Sequence, residues 1–343
     1  MENVLERMVK EEKSQELARL NAVTIVNSLF SELLDRECDV LSRRFGLKGG
    51  KGETLEKIGQ MHKLTRERVR QIEVASIRKI KKLETLESCL SSLKTTISSL
   101  LEEHGGLLRR DYLLDILTVY SLEVAGETEK EISGETRSIY RNHFNFLISK
   151  LLEDDLDIVK DSDQFNLSYK LKNTETKHLE ELADDLVTKV AKTPKTLSTE
   201  ELLDLIKNLD SYTKHQDKLR ERGADITPVF KSQIFPDKAE TINADKILYS
   251  LIQAVKNVEQ NKFGQWGEAD SHEIKPKTIN DKIYLVLKNE NRPMHFTEIA
   301  SRINEVKFDK KNANPATVHN ELILDGRYIL TGRGMYGLKD WQK

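Results

Sequence analysis

The sequence predicts a mainly α, multi-domain protein. Three observations lead to this class: the chain has 343 residues, more than one ordinary domain needs, it holds only 16 Gly and 6 Pro, and aromatic residues make up 6% of it. Charged residues reach 33%, which is typical of a soluble helical chain. Breaks in the pattern divide it into an N-terminal helix (1–28), a helix-turn-helix (29–87), an acidic winged-helix domain (88–172), a helical connector (173–277) and a C-terminal winged helix with a small β wing (278–343).

Several classes of protein do not fit the composition. No apolar run approaches the roughly 20 residues that a membrane span needs, and the segment after Met1 lacks the basic-then-apolar order of a secretory signal. Cys38 and Cys89 have no Cys or His neighbours at the spacing of a zinc site, and a disulfide framework needs more cysteines. We therefore expect a cytoplasmic protein without membrane contact.

No catalytic motif is found along the chain. The stretch around Lys51 suggests a phosphate loop, but no Ser or Thr follows the lysine and no strand precedes it. The eight histidines are scattered, and neither cysteine has a histidine partner in sequence. We expect a protein that is not an enzyme and that uses no cofactor, metal or small-molecule substrate.

Charge is unevenly distributed. Residues 54–83 contain nine basic and three acidic side chains, a net charge of +6 inside a chain of net charge −2. Residues 88–172 carry −5, and residues 278–343 carry +3. The basic segment suggests contact with a polyanion, although a solvated helix face would explain the charge equally well by itself.

The basic segment has the pattern of a helix-turn-helix. Leu55 and Ile58 lie on one side of a short first helix, and Gly59 allows the second helix to cross closely. Leu64 is an apolar plug for the turn, and Thr65 is a good N-cap. The apolar spacing of the second helix predicts that one side of it is buried. Val69, Ile72 and Ile80 lie on this side, and Ala75 and Ser76 lie near it.

This spacing leaves Arg66, Glu67, Arg70 and Gln71 outward at the start of the second helix, as a recognition helix presents side chains to a major groove. Arginine can bond to guanine through two hydrogen bonds, glutamate accepts from cytosine N4, and glutamine pairs with adenine. Other basic residues of this helix suit phosphates, which carry no sequence information: Arg68, Arg78 and Lys79.

The stretch from Thr65 to Glu73 resembles the −35-recognition helix of sigma-70 family transcription initiation factors. Earlier motifs resemble the first half of the same region 4, and the resemblance covers about Leu29 to Leu83: Arg36-Glu37, Val40-Leu41 and Arg43-Arg44-Phe45-Gly46-Leu47. The resemblance implies that Arg66, Glu67, Arg70 and Gln71 read bases of a −35-type element.

The same resemblance implies phosphate contacts from Arg44 and Thr54, with Thr65 beside them at the start of the recognition helix. It also implies that the apolar face around Leu33, Leu41 and Phe45 partly serves the flap of RNA polymerase. The aromatic-rich, promoter-melting region of a sigma factor is not found in the sequence. We therefore expect a chain that does not open a promoter unaided.

The C-terminal segment has its own helical pattern. Helices are predicted from Asp281 to Lys288, from His295 through Ile303 and from Pro315, followed by two strands around Gly332-Arg333-Gly334. This segment resembles the HARE-HTH winged-helix family, which includes the N-terminal domain of the RNA polymerase delta subunit. Membership would imply association with nucleic acid or polymerase, and the candidate contacts are Lys310, Lys311 and Arg333; a protein-docking winged helix is an equal alternative.

The remaining segments are less specific. Residues 88–172 have a weaker winged-helix outline, and their net charge of −5 favours a polymerase-facing or intramolecular role over phosphate binding. In the connector, helices are predicted near 176–191, 199–222 and 245–260, and Trp266 is expected to anchor packing between domains.

Two functions remain open from the sequence. The first is a nucleoid-associated DNA-binding transcription factor that recognises double-stranded −35-type promoter DNA and associates with RNA polymerase core. The second is a delta-like accessory subunit of RNA polymerase that acts through protein contacts without reading a DNA sequence.

Overall fold

The computed structural model describes residues 20–124, 133–219 and 239–342. Most of these residues are helical, and the strands form small antiparallel sheets, so the predicted mainly α class is confirmed. No helix in the described ranges is both long enough and apolar enough to cross a membrane. The segment predicted as an N-terminal helix (1–28) lies outside the described residues up to residue 19.

The chain divides into two compact units. The first comprises Met1–Leu179 and His215–Ala254, and the second comprises Glu180–Lys214 and Val255–Lys343. Each unit is therefore built from two stretches of chain, because His215–Ala254, which lies within the predicted connector, belongs to the first unit.

Four helices open the first unit: α1 (Ala22–Phe30), α2 (Asp35–Phe45), α3 (Leu55–His62) and α4 (Arg66–Ile80). Helices α3 and α4 are the predicted helix-turn-helix, and Gly59 serves its turn: a Cβ on Gly59 would lie 2.6 Å from the Leu64 carbonyl oxygen. The core between α2, α3 and α4 is small, with only Val40, Ile58 and Val69 fully buried in its cluster.

The helix-turn-helix is followed by a module of three helices and three strands. Its elements are α5 (Leu86–Glu103), β1 (Leu107–Arg109), α6 (Arg110–Val124), α7 (Gly134–Phe146), β2 (Leu156–Val159) and β3 (Ser168–Leu171). Helix α7 continues as one π-helical turn over Leu147–Leu151. The sheet order is β1–β3–β2, all antiparallel, so the first strand of the module pairs with the last.

Helix α1 packs on this module and does not complete the helix-turn-helix core. It contacts α7 and α5, and the Ser121 hydroxyl on α6 donates a hydrogen bond to the Leu20 carbonyl just before α1. The predicted boundary at residues 28 and 29 falls inside α1, and the boundary at 87 and 88 falls inside α5. Both helices are continuous there because their apolar faces are buried along their whole length.

The C-terminal module has the same order of elements. They are α13 (Ile279–Glu290), β6 (Met294–His295), α14 (Phe296–Val306), α15 (Pro315–Leu324), β7 (Tyr328–Gly332) and β8 (Met335–Leu338). The sheet order is β6–β8–β7, and Met294 lies opposite Tyr336 as Leu108 lies opposite Tyr169 in the first module. The three helices and the β hairpin predicted for this segment are all present.

The predicted helical connector differs from the structure. It contains α8 (Lys177–Ala191), α9 (Thr199–Lys207), α10 (Asp210–His215), α11 (Ala239–Ala244), α12 (Lys246–Ala254), β4 (Val258–Gln260) and β5 (Trp266–Glu268). The helix expected over 199–222 is interrupted at Asn208, whose side chain donates to the Asp204 carbonyl. The strands are too short to give a period-two signal in the sequence.

The second unit contains a small antiparallel arrangement of β4, β5 and the segment before α9. Leu197, between α8 and α9, forms an isolated bridge to Trp266 in β5, and β5 pairs with β4. Trp266 is buried, and its Nε1 donates to the Thr199 hydroxyl at 3.0 Å. The sequence predicts that Trp266 anchors packing between domains; its contacts with Leu197 and Thr199 lie within the second unit.

Helix α12 packs in the first unit, against β1. The Ser250 hydroxyl donates to the Leu107 carbonyl at 2.7 Å, and the Asn166 N–H donates to the Ala254 carbonyl at 2.8 Å. Buried beside them is His104, whose Nδ1 donates to the Leu100 carbonyl at 2.7 Å. Burial lowers the pKa of His104 to about 4.

The stability of the first unit is expected to fall as the pH is lowered from about 6.5 to about 4. The unfolded state binds a proton at His104 over this range and the folded state does not, so the cost is on the order of 1–3 kcal/mol. His143 is also buried with a lowered pKa and adds to the slope. Urea denaturation at pH 7.5, 6 and 4.5 measures the free energy of unfolding. In a His104→Gln chain this free energy should fall less steeply with decreasing pH. An equal fall in both chains would contradict the role of His104.

Candidate nucleic-acid interface

Helix α4 begins with a side-chain cap and presents a polar face to solvent. The Thr65 Oγ1 accepts a hydrogen bond from the Arg68 N–H at 3.2 Å, which satisfies a donor that the first turn leaves unpaired. Val69 and Ser76 are buried on the opposite face. Ala75, expected near that face, is exposed, because one residue turns the helix by about 100° away from the buried line through Ser76.

The predicted base-reading side chains all lie on the exposed face of the first two turns: Arg66, Glu67, Arg70 and Gln71. Arg70 donates to both carboxylate oxygens of Glu67, at 2.8 and 2.9 Å, and Gln71 Nε2 lies 3.5 Å from Glu67 Oε1. The hydrogen bonds from Arg70 hold the pKa of Glu67 below its usual value. The ionised Glu67 and Arg70 are therefore presented to solvent as a preformed pair, and each must exchange this partner for a base edge on binding DNA.

The predicted phosphate contacts on α4 differ in their partners. Arg78 is exposed and makes no ion pair with the described residues, whereas Lys79 lies 3.3 Å from the Glu37 carboxylate of α2. Arg68 donates to the Gln71 side-chain oxygen at 3.2 Å. The charges of Arg78 and Arg68 are therefore not compensated by a carboxylate of the described residues. Lys79, by contrast, forms an ion pair that joins α4 to α2.

Arg44 and Thr54 have structural roles that the sequence did not indicate. The Arg44 guanidinium donates to the Glu53 carbonyl at 3.1 Å and lies 3.4 Å from the Glu73 carboxylate, so it joins α2 to α4. The Thr54 Oγ1 caps α3 by accepting from the Lys57 N–H. Both residues therefore help to hold the helices of the helix-turn-helix in place.

A network around Asp39 fixes α3 against α2, and the sequence analysis did not find it. The Asp39 carboxylate accepts from Arg43 at 2.7 Å, from His62 at 3.0 Å and from Lys48 at 3.2 Å. Burial would raise the pKa of Asp39, but these three hydrogen bonds outweigh it and lower the pKa. Since His62 ends α3, one carboxylate holds the end of the first helix of the helix-turn-helix.

The apolar face that the resemblance assigns to the polymerase flap is largely covered by the following module. Phe146 of α7 is fully buried; its ring packs at a tilt against Phe45, with ring centroids 4.9 Å apart, and edge-to-face against Phe30 at 5.8 Å. Leu41 is fully buried, and Leu33 is half-buried. Any partner of this face therefore has to displace α7 or to bind beside it.

Helix α7 also holds the loop between α2 and α3. The Asn142 side-chain amide donates to the carbonyls of Gly46 and Gly50, both at 2.9 Å. Gly46 ends α2 in the left-handed conformation, with a φ of 65°. The basic, glycine-rich loop between α2 and α3 is therefore held against α7 by the side-chain amide of one residue.

The C-terminal candidates lie in two loops of their module. Lys310 and Lys311 precede α15, and Arg333 lies in the turn between β7 and β8. All three are exposed and make no ion pair with the described residues. Helix α15 itself carries no Lys or Arg, and it exposes Ile323 (60%) and Leu324 (81%).

Comparison with known protein families gives a match in the N-terminal helices. Residues 29–82 match the family Sigma-70, region 4. The resemblance predicted for this part of the chain is confirmed, and the matched range ends two residues after α4.

Sigma factors are among the similar proteins. The RNA polymerase sigma factor SigA1 of Synechococcus elongatus is 48% identical over 56 residues, which are 16% of this chain and 14% of that protein. SigA of Lactococcus lactis subsp. cremoris is 46% identical over 56 residues, 16% of this chain and 15% of SigA. SigA of Microcystis aeruginosa is 42% identical over 72 residues, 21% and 16% of the two chains. The chain thus covers about one seventh of these relatives, and no solved structure matches it significantly.

Neither a metal site nor a disulfide is formed by the part of the chain that the structure describes. No group of His, Cys, Asp and Glu side chains there could hold a metal ion. Cys38 and Cys89 are both free thiols.

Replacing Asp39 by Asn should destabilise the helix-turn-helix by about 1–3 kcal/mol at pH 7, because Arg43, Lys48 and His62 lose a charged acceptor. The pKa of Asp39 is lowered by folding, so this stabilisation is present above about pH 4 and is lost as the pH falls further. Thermal unfolding of both chains at pH 7 and pH 3 tests this. A difference in stability that persists undiminished at pH 3 would contradict it.

Replacing Phe146 by Ala should cost about 3–5 kcal/mol, because it removes a fully buried ring between α1, α2 and α7. Urea denaturation followed by circular dichroism measures the loss. Leu330→Ala, at a residue that is 64% exposed, is the control and should change stability by less than about 0.5 kcal/mol. Equal effects of the two substitutions would show that α7 does not support the helix-turn-helix.

Proposed function

We propose that this protein is a DNA-binding transcription regulator that recognises −35-type promoter DNA through α4 and associates with RNA polymerase core. The observation that carries the proposal is the match of residues 29–82 to Sigma-70, region 4, on a helix-turn-helix whose recognition face is exposed. The sigma factors it resembles are named for RNA polymerase, and the proposal extends that partner to this chain. Such a protein acts in the cytoplasm, where promoter DNA lies.

In this proposal Arg66, Glu67, Arg70 and Gln71 contact base edges in the major groove. Arg70 and Glu67 would exchange each other for base edges, Arg70 for a guanine and Glu67 for the amino group of a cytosine. Phosphates would be bound by Arg68 and Arg78, with Lys79, Thr65, Thr54 and Arg44 at the edges of the contact.

The pattern of ion pairing supports this division of roles. Within residues 54–83, four basic side chains are paired with carboxylates: Lys57, Arg70, Lys79 and Lys81. The other five make no ion pair within the described residues: Lys63, Arg66, Arg68, Arg78 and Lys82. Uncompensated charges on one helix-turn-helix are what attraction to a duplex requires.

Contact with RNA polymerase through the apolar face of the helix-turn-helix is limited by α7. Phe45 packs against Phe146 of the module and Leu41 is fully buried, so we place the polymerase contact partly elsewhere. The C-terminal module, which we propose to be a winged helix of the HARE-HTH type, offers Lys310, Lys311 and Arg333 as a second contact with nucleic acid or polymerase.

A delta-like accessory role is the second candidate. It is favoured by the C-terminal module, where α15 has no basic residue and exposes Ile323 and Leu324, and where Leu330 is also exposed. Exposed apolar side chains of this kind suit a protein partner better than a phosphate backbone. In this role the helix-turn-helix would not read sequence.

Fluorescence anisotropy with a duplex that carries TTGACA and a scrambled duplex, over a salt series, distinguishes the two roles. We expect a preference for the element, and Arg66→Ala and Arg70→Ala should each lower it by about ten- to a hundredfold. Arg78→Ala is the matched control, since it removes the same charge from the same helix and should weaken binding to both duplexes alike while lowering the salt slope by about 1.

Equal and steeply salt-dependent binding to both duplexes would reduce the proposal to phosphate contact. Binding to neither duplex, together with retention on RNA polymerase core, would establish the accessory role.

A further inference from the structure

An apolar side chain interrupts the polar face of α4. Val74 is 41% exposed, and it lies seven residues after Glu67, three after Gln71 and four before Arg78. Residues at these intervals lie on one side of a helix. Val74 therefore lies on the same face as the proposed base-reading side chains, one turn beyond them.

Packing in the free protein does not explain Val74. The buried line of α4 runs through Val69, Ser76 and Ile80, and the small core of the helix-turn-helix does not include Val74. A β-branched residue on an exposed helix face lowers helix propensity relative to alanine, since its χ1 rotation is restricted. Val74 thus lowers helix propensity at a position that lies outside the buried cluster of the helix-turn-helix.

A single exposed valine is common and needs no explanation by itself. The position of Val74 is what distinguishes it. In homeodomains, the recognition-helix residues that reach base edges are separated by three, four and seven residues from the first of them. Counted from Glu67, these intervals give Arg70, Gln71 and Val74.

The chemistry of a base-reading apolar side chain is specific. Arginine, glutamate and glutamine recognise hydrogen-bonding groups, and none of them recognises the C5-methyl group of thymine, which projects into the major groove. An apolar side chain in contact with that methyl group favours thymine over cytosine, and the contact removes apolar surface of both partners from water.

We propose that Val74 contacts a thymine methyl group in the base pair next to those read by Arg70 and Gln71. Val74 is then a specificity-determining residue of the α4 interface, and it is the residue that distinguishes a T·A pair there. This inference rests on the proposed function, because it requires α4 to lie in the major groove.

The test replaces each thymine of the TTGACA duplex, on both strands and one at a time, by deoxyuridine, which lacks only the methyl group. Binding of the full-length protein is measured by anisotropy for the wild-type chain and for Val74→Ala. We expect one replacement to weaken wild-type binding about fourfold, the effect of one buried methyl group, and the same replacement to weaken Val74→Ala binding clearly less, because alanine keeps only its Cβ. Alanine favours the helix, so the variant should fold, and circular dichroism checks this.

Two controls separate the failure of this inference from failure of the proposed function. Arg70→Ala is measured on the same duplexes and should lose preference for the element while keeping the deoxyuridine effect. Ile158→Ala removes an exposed apolar side chain of β2, outside α4, and should bind every duplex as the wild type does.

A preference for the element that depends on Arg70, combined with no deoxyuridine effect or with an equal effect in Val74→Ala, overturns the Val74 contact alone. A wild-type chain with no preference for the element overturns the proposed function and this inference together.

Discussion

The placement of the helix-turn-helix depends on the burial of Phe146 against its apolar face. The cluster between α2, α3 and α4 contains three fully buried side chains, which is a small core for a unit of this length. Phe146 adds contacts with Phe30 and Phe45, and Asn142 one turn earlier binds the loop after α2. The module after the helix-turn-helix thus completes a core that the helix-turn-helix lacks, and it leaves the start of α4 exposed.

Electrostatics follow from the same arrangement. Glu153 and Asp154, at the end of the π-helical turn, lie against Lys81 near the C-terminal end of α4. Their charges offset the basic residues at this end, while Arg66 and Arg68 at the other end remain toward solvent. The acidic module therefore offsets part of the positive charge at the C-terminal end of α4 and none of it at the N-terminal turns.

The family of the helix-turn-helix was predictable because its signals are local. Thr65 caps α4, Gly59 permits the close turn, and the apolar spacing of α4 leaves its polar face outward, all within about 25 residues. The comparison confirms this segment, while the HARE-HTH resemblance of the C-terminal segment stays a prediction. Within α4 the pattern erred at Ala75 and overlooked Val74, since a shift of one position moves a side chain from the buried to the exposed face.

The sequence by itself determined the helical class, the recognition helix and the order of helices and strands in the C-terminal module, because caps, turns and periodicity act over a few residues. The tertiary structure alone decided the partners of Arg44 and Lys79, the Asp39 network and the cover over Phe45. It also decided the short strands of the connector, which exist only as pairs. These features join residues that are far apart in the chain. The sequence offers many oppositely charged or apolar partners for each such side chain, and it does not show which of them lies close in space.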